Sequence, residues 1–148
     1  MQIGIIGSGE CVMEVEKAAE EVGRLIARSG AVLICGGLGG VMKAACRGAV
    51  GAGGITVGIL PGDRADQANE YVQIRIVTDL GHARNVLVVH SSDVLIARGG
   101  GFGTLSELAI ALKLGKPVVG LHTWDVSPGI VKVNDPAEAV EKALKLTR

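Results

Sequence analysis

The sequence predicts an α/β fold, a Rossmann-like three-layer α/β/α arrangement around a mainly parallel, doubly wound sheet. Two observations carry this. Short all-apolar segments alternate with helical ones along the whole chain, the pattern of strands buried on both faces and covered by helices. Twice, moreover, an apolar strand runs into a clump of glycines and then a helix. Ala31 to Cys35 leads into Gly36-Gly37-Leu38-Gly39-Gly40, and Asp93 to Ala97 leads into Gly99-Gly100-Gly101-Phe102-Gly103-Thr104. In such a sheet these turns lie at the carboxyl ends of the strands, where ligands bind.

The elements follow in order. Gln2 to Ile6 is a strand that breaks at Gly7-Ser8-Gly9. A helix from about Val12 to Ser29 has Glu14, Glu16, Glu20 and Glu21 early, Arg24 and Arg28 late, and Gly30 as its stop, a charge order that suits its dipole. After the second strand and first glycine clump, a helix from about Val41 to Val50 dissolves into Gly51-Ala52-Gly53-Gly54. Ile55 to Leu60 is the third strand; Pro61-Gly62-Asp63 turns it into a polar loop ending near Tyr71, and Ile74 to Val77 forms a short strand. A helix around His82 to His90 precedes the strand of the second glycine clump. Thr104 to Leu114 is helical and stops at Gly115, Pro117 to Leu121 is an apolar strand, and Asp135-Pro136 caps and opens a last helix.

Composition bounds what this framework serves. At 148 residues, 48% hydrophobic and with a mean hydropathy of +0.41, the chain has the material for one core, so residues 1–148 are expected to form one domain. Fifteen basic and fifteen acidic residues give zero formal net charge, so no global field draws it to nucleic acid or to an anionic membrane. No secretory pattern and no apolar run of bilayer length occur, which predicts a cytoplasmic protein. Cys11, Cys35 and Cys46 show no C-x-x-C spacing and His82, His90 and His122 no metal spacing, so the expectation is reduced thiols and no metal site.

The chemistry rests on the glycines. At a strand-to-helix turn they let backbone N–H groups approach a ligand, and the helix N-terminus behind them favours negative charge. Neither clump is a dinucleotide fingerprint, because Met42 and Ser106 stand where the third glycine is needed, as Val12 does after Gly7 and Gly9. Nor does any run continue into G-K-[ST] at Walker spacing. What remains is a phosphate cradle of another kind.

Gly100-Gly101-Phe102-Gly103-Thr104-Leu105-Ser106-Glu107 resembles the P-G-G-x-G-T-x-x-E motif of the Lonely-guy superfamily. That superfamily includes cytokinin-activating phosphoribohydrolases, molybdenum-cofactor carrier proteins and proteins once mislabelled lysine decarboxylases. Gly36 to Met42 is similar to its other glycine motif, and Arg84 stands where its enzymes have the arginine of an R-K pair. The resemblance covers nearly the whole chain and is strongest to the small carrier-like branch. Gly99 replaces the motif's proline, Ser106 its first acidic residue and Asn85 the lysine.

The resemblance implies a phosphorylated ligand, a nucleoside monophosphate or the molybdenum cofactor, and no cofactor is required. Its cradle would be formed by Gly7, Ser8, Gly36, Gly37, Gly39, Gly40, Gly100, Gly101, Phe102, Gly103 and Thr104. Arg84 and Glu107 would be the polar pair, with Glu107 facing the sugar and the Arg84 fork orienting the ligand. Turnover, if present, would be phosphoribohydrolase chemistry at the N-glycosidic bond; nothing marks a Schiff-base lysine for decarboxylation.

Thr104-x-x-Glu107 also fits a capping box, which would occupy both side chains with their own helix. The aromatics Phe102, Tyr71 and Trp124 fall in or near loops at the ligand edge, and Asp63, Arg64 and Asn69 stand near enough in sequence to reach a ribose or ring. Ala83, Val86, Leu87, Val88 and Val89 go almost around one helix, and Leu105, Leu108, Ala109, Ile110, Ala111, Leu112 and Leu114 almost around the next. A helix lying on a sheet needs one apolar stripe, so the surplus predicts a homodimer or higher homo-oligomer.

Overall fold

The computed structural model describes residues 1–148. Seven parallel strands form one sheet in the order β4-β3-β2-β1-β5-β6-β7. They are β1 (Gln2–Gly7), β2 (Val32–Cys35), β3 (Thr56–Leu60), β4 (Ile74–Val77), β5 (Val94–Gly99), β6 (Val118–Thr123) and β7 (Ile130–Val133). Five helices cover it: α1 (Met13–Arg28), α2 (Val41–Gly51), α3 (Arg84–His90), α4 (Phe102–Lys113) and α5 (Pro136–Leu146). The fold is a doubly wound α/β/α sandwich, and its sheet is parallel throughout.

Alternation along each central strand divides the core. Ile3, Ile5, Leu33, Cys35, Ile96 and Val119 pack with α1, α2 and α5 on one face. Ile6, Ile34, Leu95, Ala97 and Val118 pack with Val88 and Val89 of α3 and Leu108 and Ala111 of α4 on the other. Five helices therefore split three and two, and the thinner layer leaves β4 exposed along its length.

The first layer owes its closeness to two glycines. A Cβ on Gly23 of α1 would lie 1.8 Å from the Ala45 carbonyl oxygen, and one on Gly48 of α2 would lie 1.9 Å from that of Glu20. Only bare backbone fits at this crossing. Beside it Arg47 bridges to Glu16 and Glu20 at 3.1 and 2.8 Å. No helix is long and apolar enough to cross a membrane.

Three boundaries differ from the sequence expectation. β7 is an additional strand, four residues of Ile-Val-Lys-Val recruited at the sheet edge by pairing with β6. β5 runs on through Arg98 to Gly99 because Gly7 and Leu121 pair with Arg98 on either side. α4 begins at Phe102, two residues before Thr104.

Candidate functional site

The sheet reverses its winding between β1 and β5, so the helices that follow these neighbours leave on opposite faces. That divergence opens a crevice at the carboxyl ends of the strands. The loops around it are tied together: Ser8 Oγ accepts the Gly100 N–H at 2.8 Å, and the Ser8 carbonyl accepts the Val41 N–H at 2.9 Å. The β1, β2 and β5 turns thus form one rim.

Within the rim lies a hollow of about 290 Å³. Gly7, Ser8, Gly36, Gly101, Gly103 and Thr104 line it, together with Arg84 and Glu107. Residues more than ninety positions apart in sequence are therefore brought to one site, as the motif order implies. Leu38, Met42, His82 and Asn85 also line it; the sequence signal for His82 and Asn85 was their adjacency to Arg84.

Five expected cradle residues do not line the hollow. Gly37 and Gly40 adopt φ of 80° and 61°, and a Cβ on Gly40 would stand 2.2 Å from the Ser8 carbonyl oxygen. They let the β2 turn press against its neighbours, and Gly39 likewise lies against Gly9. Gly100 packs against Thr104. Phe102 is 82% exposed and stacks on Trp124 with ring centroids 6.2 Å apart.

The loop residues also have other partners. Tyr71 packs against the core, Arg64 pairs with Asp66, and Asn69 Nδ2 donates to the Leu38 carbonyl at 2.8 Å, bracing the glycine turn.

Arg84 opens α3 and is buried. Its Nε donates to the Ile59 carbonyl at 3.0 Å, Nη2 to the Gly36 carbonyl at 3.4 Å and Nη1 to Asn85 Oδ1. The guanidinium thus ties the carboxyl ends of β2 and β3 to α3, and two of its five donors are left for a ligand. Its fork is less free than a purely ligand-directed arginine would be.

The capping box does not form. Gly101 is the N-cap of α4 and no side chain caps the helix, so Thr104 and Glu107 fall inside it and face the hollow. The contrast is α5, where Asp135 Oδ1 accepts the Glu138 N–H at 2.9 Å and Glu138 Oε2 accepts the Asn134 N–H at 3.2 Å. At α4 the first-turn amides are left uncapped beside a cavity, the arrangement that holds anions.

Glu107 is 8% exposed and accepts no hydrogen bond from the protein. Burial pushes its carboxyl up to about 7, a shift only partly offset by the positive charge of Arg84. Burial in turn lowers the Arg84 guanidinium from its usual range, opposed by Glu107. Desolvation is the larger effect on both.

Two departures from the motif are partners: Asn85 Nδ2 donates to Ser106 Oγ at 3.2 Å, and Ser106 Oγ donates to the Gly103 carbonyl at 2.6 Å. A neutral relay thereby links Arg84 to the glycine turn. Cys35 and Cys46 are buried and pack sulphur to sulphur at 3.6 Å, with the Cys35 Sγ accepting the Gly37 N–H at 3.3 Å.

The sequence matches the SLOG cluster4 family over residues 1–146. The chain belongs to that family. Among solved structures, this SLOG protein resembles the molybdenum cofactor binding protein of Rippkaea orientalis, with a TM-score of 0.94 and 40% identity over 99% of this chain and 97% of that one. It also resembles the molybdenum cofactor carrier protein of Chlamydomonas reinhardtii, with a TM-score of 0.89 and 38% identity over 98% and 97% of the two chains. The cytokinin riboside 5′-monophosphate phosphoribohydrolase of Mycobacterium tuberculosis is 35% identical over 127 residues, 79% of this chain and 67% of that relative. The Lonely-guy and molybdenum-cofactor-carrier superfamily is therefore the correct assignment.

Proposed function

We propose that this SLOG protein binds a small phosphorylated ligand, a nucleoside monophosphate or a molybdenum-cofactor-type pterin, as a carrier. The observation that carries the reading is the uncapped start of α4, opening onto the same hollow as Arg84 and Glu107. The amides there and the Thr104 hydroxyl would take the phosphate, and the remaining Arg84 donors a further oxygen. The carrier relatives named above support the pterin form of the ligand.

A second reading, hydrolysis of the N-glycosidic bond of nucleoside 5′-monophosphates, is favoured by the mycobacterial relative and by Glu107 in the hollow. In it, water oxygen bonds to the anomeric carbon as the C–N bond breaks, the departing base takes up the proton that water loses, and ionised Glu107 stabilises the positive charge developing on the sugar. Burial pushes the Glu107 carboxyl up to about 7, which disfavours the ionised form this step needs. The carrier reading does not need that charge, and so it stands first.

Incubation with AMP and related monophosphates separates the two. Retention of ligand in native mass spectrometry with no base released supports the carrier; base release that disappears in Glu107→Ala overturns it.

Self-association belongs to the same proposal. Val86 and Leu87 of α3, Leu114 after α4 and Ile74 and Ile76 of β4 are exposed around the thinner helical layer, and a second copy would cover them.

A further inference from the structure

Two hollows adjoin the second glycine turn beyond the Arg84 and Glu107 site. One of about 300 Å³ is lined by Gly99, Gly100, His122, Thr123 and Trp124. The other, of about 200 Å³, shares His122, Thr123 and Trp124 and reaches Asp125 and Lys132. Together they make a trough over the carboxyl ends of β5, β6 and β7, of the size that accepts a small ring system.

The backbone is shaped to open it. Arg98 pairs with Leu121, but Gly99 pairs with Thr123, so His122 is the extra residue of a bulge, held at a φ of 54°. Bulges and left-handed non-glycine residues of this kind gather beside binding sites, where they redirect side chains. The Thr123 hydroxyl fixes the shifted pairing by donating to the Gly99 carbonyl at 2.6 Å.

The trough holds an aromatic pair. Trp124 Nε1 donates to the Gly101 carbonyl at 3.1 Å, which anchors the indole to the turn that would hold a phosphate. Phe102 stacks on it at an interplanar angle of 25°. A planar ring joined to that phosphate through a sugar or short linker would reach Trp124.

Beside the aromatic pair, Lys132 Nζ lies 2.6 Å from Asp125 Oδ2. A carboxylate next to an ammonium presents acceptors and a donor side by side. Guanine and the pterins offer the complement on their pyrimidine edge: a ring N–H and an amino group to donate, then a carbonyl oxygen to accept. Adenine offers a bare ring nitrogen in place of that N–H, which would face the carboxylate with a lone pair.

We infer that the trough of Trp124, Asp125 and Lys132 is a ring subsite that selects this shared amino–oxo pyrimidine edge, and so a guanine or pterin phosphate over an adenine phosphate. The inference rests on the phosphate-cradle reading above.

The test is calorimetric titration of the full chain with inorganic phosphate, AMP, GMP and a hydroxymethylpterin monophosphate. Fluorescence of Trp124, the chain's only tryptophan, is followed during the nucleotide titrations. Expected is affinity for GMP and the pterin phosphate at least about tenfold above that for AMP, with quenching of Trp124 by GMP. The tighter of the two identifies the ring. Asp125→Asn and Lys132→Ala should each bring the GMP to AMP ratio to about one.

AMP binding as tightly as both others, or a ratio that persists in both variants, overturns the subsite. If phosphate and all three monophosphates bind alike, the cradle stands and only the subsite falls. If none binds, both fall.

Discussion

Arg84 and Glu107 line one hollow without forming an ion pair, while three of the arginine's five donors go to Ile59, Gly36 and Asn85. The carboxyl therefore bears most of the cost of its burial, and a ligand meets an acid that can be neutral.

This has a pH consequence. A carboxyl raised from its ordinary value to about 7 in the folded state binds its proton more tightly when folded. Stability is then full at low pH and falls as pH climbs through the folded value. Glu107→Gln should remove that slope and be more stable than the parent at pH 8 by on the order of 2–3 kcal/mol. Paired thermal melts between pH 4 and 8 measure this. Parallel melting curves at every pH would show that Glu107 ionises as an exposed residue does.

Anion affinity should follow the same titration. Above pH 7 the ionised Glu107 repels a phosphate, so the parent loses affinity there relative to Glu107→Gln, by roughly three- to tenfold. Titration of both proteins with AMP at pH 6 and 8 compares them; an equal ratio at the two pH values contradicts it.

Arg84 is expected to serve shape as well as ligand. Arg84→Met leaves the buried Ile59 and Gly36 carbonyls without their donors and should cost about 1–3 kcal/mol. A denaturant titration reads this, and an unchanged midpoint would mean the guanidinium is there for the ligand alone.

The α1 and α2 crossing should tolerate no side chain. Gly23→Ala or Gly48→Ala drives a methyl into backbone and should destabilise by about 1–3 kcal/mol or more. Gly51→Ala, with open space around it, serves as the control. Equal melting temperatures for all three would refute the close crossing.

Self-association is checked by sedimentation. The parent should run at twice the monomer mass or more at micromolar concentration, and Leu87→Glu should shift it toward monomer. A monomeric parent ends that proposal.

Most of the layout was legible because it rests on repeated local signals. All-apolar strands, the Asp135-Pro136 cap and the glycine turns each act within a few residues, and each formed within about two residues of the expected place. What was hidden depends on neighbours. β7 has only four residues and gains its place from β6. Thr104 and Glu107 are site residues by motif but fit a cap equally well by spacing, and only the start of α4 at Phe102 removes the cap. Gly37, Gly39 and Gly40 are expected to present amides to a ligand; none of them lines the hollow, and neighbouring loops pack closely against them. The bulge at His122 follows from strand pairing and has no local sequence mark.

The hydrogen bond from Gly100 to Ser8 spans 92 positions in sequence. The pocket rim is thus assembled from the first turn of the chain and one far later in the sequence, and neither forms it alone. The hollow is therefore complete only once β5 has docked beside β1.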